Sequence, residues 1–135
     1  MKRLSDQQGF SLIELLVVIL IIGILAAIAL PVFLGERDKA ADADAKSLAR
    51  NAVSEVESCA VDGNDYTACE EDDGVLTGTG LDAGRLSVVS GDRDSFEIEA
   101  TSASGSTFTI TKAPGAPLAR SCDPPDDGGC LGGIW

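Results

Sequence analysis

The chain has 135 residues, with 22 acidic against 10 basic side chains, no histidine and four cysteines. A formal charge of −12 leaves no basic stripe to neutralise phosphates, so nucleic acid is not expected as a direct partner. Without histidine the commonest general base and metal ligand is missing; with no metal triad, phosphate-cradling glycine loop or paired carboxylates either, the sequence argues against an enzyme and against a cofactor.

A short leader comes first. Residues 1–9 contain Lys2 and Arg3 and end at Gly9. From Phe10 to Leu34, 18 of 25 residues are Leu, Ile, Val or Phe. As a helix this run spans about 37 Å at 1.5 Å per residue, more than the ~30 Å hydrocarbon core of a bilayer. Its insertion is favourable by roughly 5–11 kcal/mol, against about 3 kcal/mol at most for one acidic residue at the centre. That residue is Glu14, and it lies near the end, where the cost is lower. Lys2 and Arg3 precede the run, while Glu36, Arg37, Asp38 and Lys39 cancel beyond it. The positive-inside rule then sets the N-terminus in the cytoplasm and the rest outside.

A secretory signal peptide has a shorter apolar core and a small-residue cleavage site on its far side. Here the run is too long, and Pro31 follows the small residues of "AAIALP" directly. A plain single-pass anchor carrying a binding domain fits the length, but leaves Glu14 without a role, and carboxylates inside membranes are rare and usually functional.

The stretch "GFSLIELLVVILIIGILAAIALPVF" resembles the N-terminal signature of type IV pilins and related prepilin-like proteins. The resemblance rests on a basic leader ending in Gly9, then Phe10, Ser11, Glu14 four residues beyond Phe10, and a long apolar run with Pro31 near its end. It implies that a membrane-embedded prepilin peptidase cuts between Gly9 and Phe10 on the cytoplasmic side. It implies that the new N-terminus of Phe10 is methylated. The apolar helix would then stay on the chain and become the core of a homo-oligomeric filament, built by an inner-membrane assembly machinery and displayed outside the cell.

Within that expectation Glu14 has a physical task. The α-amino group freed at Phe10 has a reference pKa of about 8 and is largely cationic at pH 7. Buried in a bundle, it needs a counter-charge, and Glu14 of a neighbouring subunit can supply one. Losing one partner of a buried pair costs several kcal/mol, so the pair sets axial register. The alternative is that Glu14 pairs with its own N-terminus or snorkels to the interface. Gly23 and Pro31 weaken the helix. Pro31 cannot donate to the carbonyl of Ala27 and would kink the helix or stop it locally. The family resemblance implies that such a stretch loosens in a filament.

Residues 35–60 read as an amphipathic continuation of the helix. Ala41, Ala45, Leu48, Ala52, Val56 and Cys59 follow the i+3/i+4 spacing of one face, and charges fill the rest. The remainder, 61–135, reads as a β-sheet head. "RLSVV" (85–89), "SFEIEAT" (95–101) and "STFTITK" (106–112) alternate with period two, Phe96, Ile98, Ala100, Phe108 and Ile110 facing inward. "SGDRD" and "SASGS" supply the turns between them. An antiparallel meander covering the alanine stripe follows, hence an α+β fold of the pilin kind.

The cysteines Cys59, Cys69, Cys122 and Cys130 allow three pairings. An even count behind a membrane-targeting segment suits an oxidising compartment, and the absence of CxxC and His argues against zinc. Local pairing, Cys59 with Cys69 and Cys122 with Cys130, is the preferred expectation. In "VDGNDYTACEEDD" (61–73), Asp62, Asn64 and Asp65 are possible calcium donors. The EF-hand template fails, since Thr67 stands where glycine is needed and Asp73 where glutamate is needed, so a solvated acidic face is expected instead. The tail "RSCDPPDDGGCLGGIW" is rich in Pro and Gly, with Trp135 expected to pack on the head. A pseudopilin of a type II secretion or competence system shares the N-terminal signature and is the nearest alternative to a pilin.

Overall fold

The computed structural model describes residues 9–63, 65–69, 76 and 84–135. Leader residues 1–8, Asn64, Asp73 and the side chain of Asp62 lie outside the described residues. Helix α1 covers Leu12–Gly63, 52 residues. Its first half mixes the good helix formers Leu and Ala with nearly as many β-branched Ile and Val, whose propensity is lower. The helix passes through Gly23 and Pro31 without interruption. The local stop considered at Pro31 does not occur: neighbouring turns hold the backbone helical although one carbonyl loses its donor. The end falls at Gly63, three residues beyond the expected one.

The chain divides into two compact units, Met1–Gly35 and Glu36–Trp135. In the first, the apolar side chains from Leu12 to Leu34 are largely exposed. By length and composition this helix is long and apolar enough to cross a membrane.

The second unit holds the core. Four strands, β1 (Leu86–Gly91), β2 (Phe96–Thr101), β3 (Thr107–Lys112) and β4 (Ala119–Asp123), form an antiparallel meander in the order β1-β2-β3-β4. Ile98 faces Ile110, and Ala100 faces Phe108, across β2 and β3. Their side chains point inward with Phe96, Leu86 and Val88, while Glu97, Glu99, Thr109 and Thr111 alternate to the other face. The register of β1 against β2 shifts between Val88 and Ser90. That bulge turns the β1 end of the sheet.

Strand β4 was not expected from the sequence. Only Cys122 of its five residues is buried, so it carries no alternation to read; its ladder to β3 holds it at the sheet edge.

The helical face that packs on the sheet is Asp42, Ala45, Ala49, Ala52, Val56 and Ala60. This corrects the expected stripe. Ala45, Ala52 and Val56 are common to both, but Ala41, Leu48 and Cys59 are only half-buried and border the contact. The true face lies one residue further round at Asp42, Ala49 and Ala60. A charged residue at 42 hid it, because Asp42 is buried through hydrogen bonds and not through apolar contact.

Candidate assembly site

The N-terminal end of α1 is built by Ser11 and Glu14. Ser11 is the N-cap: the backbone N–H of Glu14 donates to Ser11 Oγ at 3.2 Å. Glu14 returns the bond, its Oε2 accepting from the Ser11 N–H at 2.9 Å. This reciprocal pair is a capping box, and it satisfies two donors that a helix start otherwise leaves open. The carboxylate also lies at the positive end of the helix dipole. The Ser-x-x-Glu spacing is present in the sequence, and it gives Glu14 a capping task beside the pairing or snorkelling expected of it. Phe10, directly before the cap, is 89% exposed, and a side chain at Gly9 would meet nothing within 4 Å. The Gly9–Phe10 bond therefore sits in open, non-helical chain beside the capped end. Gly23, on the same helix, opens a shallow apolar groove bordered by Leu16, Ile19, Leu20 and Ala27.

The head is tied together by two polar locks. Asp42 is 1% exposed. Its carboxylate accepts from Ser104 Oγ in the β2–β3 turn and from the Gly129 N–H at 3.2 Å. Burial pushes this carboxyl up, but hydrogen bonds from Ser104, Ser102 and Gly129, with the charge of Lys46, outweigh it and hold the pKa below its ordinary value. Lys46, one turn on, donates to the Gly129 carbonyl at 2.6 Å. The helix thus grips the C-terminal loop with one anion and one cation.

The second lock joins Glu57, Tyr66 and Lys112. Lys112 Nζ donates to Glu57 Oε1 at 2.8 Å and to the Tyr66 hydroxyl, which itself donates to Glu57 Oε2 at 3.0 Å. The hydrogen bond from Lys112 holds the Glu57 carboxyl low, and Glu57 in turn pushes the Lys112 ammonium up. Tyr66 also stacks edge-on to Phe96, centroids 4.9 Å apart.

Both disulfides form with the expected local pairing, Cys59–Cys69 and Cys122–Cys130. The first ties the last turns of α1 to the loop beyond it, and the second closes the loop after β4. In the 61–73 loop, Asp65 Oδ1 accepts from Thr67 N at 3.1 Å and from Thr67 Oγ1 at 2.7 Å, an Asx turn. Trp135 packs on the head: its ring meets Phe108 edge-on at 5.8 Å, and Nε1 donates to the Thr109 carbonyl at 3.4 Å.

A helix whose apolar half is capped by Ser-x-x-Glu, and whose polar half packs on a four-stranded meander, gives an α+β fold of the type IV pilin kind. The family model described as the prokaryotic N-terminal methylation motif matches residues 4–30. The chain is similar to the type IV wide pilus major component PilA4 of Thermus thermophilus, 42% identical over 65 residues, 48% of this chain and 50% of that protein. It is similar to type II secretion system core protein G of Vibrio cholerae, 48% identical over 40 residues, 30% of this chain and 27% of that one. The same protein of Klebsiella michiganensis is 50% identical over 38 residues, 28% and 27% of the two chains. The chain thus spans half the length of the first relative and 27% of the other two. No solved structure matches it. The chain carries the N-terminal methylation motif of prepilins at residues 4–30, and it is similar over that end to a type IV pilin and to two secretion-system core proteins.

Proposed function

We propose that the chain is a structural subunit of a type IV pilus. A prepilin peptidase cuts it between Gly9 and Phe10, and the same machinery methylates the amine of Phe10. The subunit waits in the inner membrane with its N-terminus on the cytoplasmic side. An assembly complex in that membrane then draws it into a homo-oligomeric filament through the apolar helix. The observation that carries this reading is the Gly9-Phe10-Ser11-x-x-Glu14 start, which falls within the matched methylation motif.

On this reading Glu14 has two successive tasks. In the uncut chain its carboxylate caps its own helix through the Ser11 N–H, which lowers the cost of carrying a charge so near lipid. The cut creates a cation at Phe10, with a reference pKa of about 8. Between packed subunits that cation needs a carboxylate, and a neighbour's Glu14 answers it. Subunits out of register leave both charges unpaired, which costs several kcal/mol. Gly23 and Pro31 are the weak points of the filament core. There the helix loosens when the filament is stretched.

Intact mass spectrometry of the native protein tests processing. The expected chain begins at methylated Phe10 and is about 4 Da lighter than its fully reduced form, two hydrogens lost per disulfide. A chain beginning at Met1, or one cut beyond residue 30, overturns the reading. Glu14→Ala tests register: cleaved, stable subunits should accumulate with little filament, and a normal filament yield would sink the register role. The second reading is a pseudopilin, favoured by the similarity to two secretion-system core proteins. Surface filaments that contain this chain at native abundance decide for the pilin.

A further inference from the structure

The head gathers cations that its own fold leaves unused. Arg85 pairs with Asp44 at 3.0 Å, Lys112 with Glu57 at 2.8 Å and Lys39 with Glu36 at 2.9 Å. The side chains of Arg50, on α1, and Arg120, on β4, have neither an ion pair nor a hydrogen bond to any described residue. Both are exposed. Each holds its guanidinium carbon 5.2 Å from the centroid of the Trp135 ring, and Lys46 Nζ lies 5.9 Å from the same ring. Three positive charges therefore share one indole, in a chain whose formal charge is −12.

The negative face of the ring offsets part of their mutual repulsion. It also holds the two guanidinium groups in place, so that ordering them on binding costs less. Their N–H forks remain available, and the match for a fork is a carboxylate. Asp123, Asp126 and Asp127 follow in the adjoining loop and form no ion pair with them.

The sheet order sets β1 and β4 at opposite edges. At the β1 edge, the turn into β2 exposes Asp92 and Asp94, neither ion-paired to a described residue. Glu97 and Glu99 alternate to the outer face of β2. Arg93 is the one cation in that turn.

The geometry points to the Arg50–Trp135–Arg120 cluster as a docking site for the carboxylate-bearing β1–β2 turn of a second copy of this chain. This rests on the filament reading above. Copies of a strongly acidic head repel one another at close range. Cations beside β4 meeting the carboxylates of the β1–β2 turn relieve that repulsion in one orientation. Such a contact is head-to-tail, and a head-to-tail contact that does not close propagates as a helix. It would act beside the apolar helices and set how neighbouring heads meet.

Charge reversal in the full-length chain, in its native cells, tests this. Arg50→Glu with Arg120→Glu should cut the filament recovered per cleaved subunit at least tenfold, while disulfide content stays native. Asp92→Arg with Asp94→Arg should do the same. The two reversals combined in one chain should recover filament to within about threefold of native. Arg50→Gln with Arg120→Gln, which keeps planar groups over the ring, should give an intermediate loss and covers the event that the glutamates misfold. Native filament yield from either Arg50/Arg120 variant overturns the docking site. Loss without recovery in the combined variant overturns the second copy as occupant and leaves some other anion, such as a lipid headgroup. If the native chain itself is cut but never polymerises, the filament reading fails first, and that result is distinct from the others.

Discussion

Asp42 carries more of the head than its charge suggests. It accepts hydrogen bonds from the β2–β3 turn and from the C-terminal loop, 62 and 87 residues away in sequence. Asp42→Ala would strand Ser104 and the Gly129 N–H without their acceptor, and is expected to cost about 3 kcal/mol. Chemical denaturation of the purified protein in detergent measures this, and a loss under about 1 kcal/mol would show that water replaces the carboxylate. The pH dependence has a definite sign. The folded pKa is lowered from 3.8, so the contribution is complete above about pH 4 and disappears as pH falls through the folded value. Asp42→Asn should therefore flatten the fall in melting temperature as the pH drops below about 4. Gly128 supports the same contact. It has φ +55°, and a Cβ there would run into the Asp42 carboxylate. None of this was legible in the sequence, where Asp42 reads as one more charge on a solvated helix. Its partners lie in a serine-rich turn and a glycine pair that look like ordinary punctuation. The Ser11–Glu14 box was legible, because capping is local and its spacing is fixed.

At the scale of elements, legibility follows how the apolar residues are distributed. β2 and β3 were readable because Phe96, Ile98, Ala100, Phe108 and Ile110 alternate strictly and are buried. β4 was not, since hydrogen bonds and Cys122 hold it in the sheet. The helix was readable as a helix, but its packing face was misdrawn. Alanine every third or fourth residue allows two stripes a single step apart, and only the sheet chooses between them. Small residues on that face let helix and sheet approach closely, so the position is intolerant of bulk. Ala49→Leu should overpack the contact and cost about 1–3 kcal/mol, whereas Ala41→Leu, at the half-buried border, should stay within about 0.5 kcal/mol of native. Thermal melts of the two variants distinguish the stripes, and equal losses would place the face midway between them.

For the molecule as a whole, the choice of alanine has a consequence for stability. An alanine buries little apolar area, so the helix contributes modestly to the core at about 25 cal/mol per Å². Four of the buried helix residues are alanines. The larger side chains come from the sheet, and the head, Glu36–Trp135, is small enough for cross-links to matter. The two disulfides stand at opposite ends of the polypeptide of the head, each closing a short loop, with sequence separations of 10 and 8. In the chain-entropy account each contributes about 2–3 kcal/mol, by restricting the unfolded chain. Together they equal a large part of the net stability of a domain of this size. A domain of about 100 residues loses about 4–8 °C of melting temperature per kcal/mol. Reduction of both disulfides in the full chain should therefore lower the melting temperature by at least about 15 °C. Cys59→Ser with Cys69→Ser, and Cys122→Ser with Cys130→Ser, should each account for about half of that fall. The second pair should do more harm to the Asp42 lock, because Gly129 sits next to Cys130 and presents both of its backbone groups to α1. The check is whether Asp42→Asn loses its effect on acid stability in the Cys122/Cys130 variant but keeps it in the Cys59/Cys69 variant. An undiminished effect in both would mean that the C-terminal loop holds its place on the helix without its cross-link.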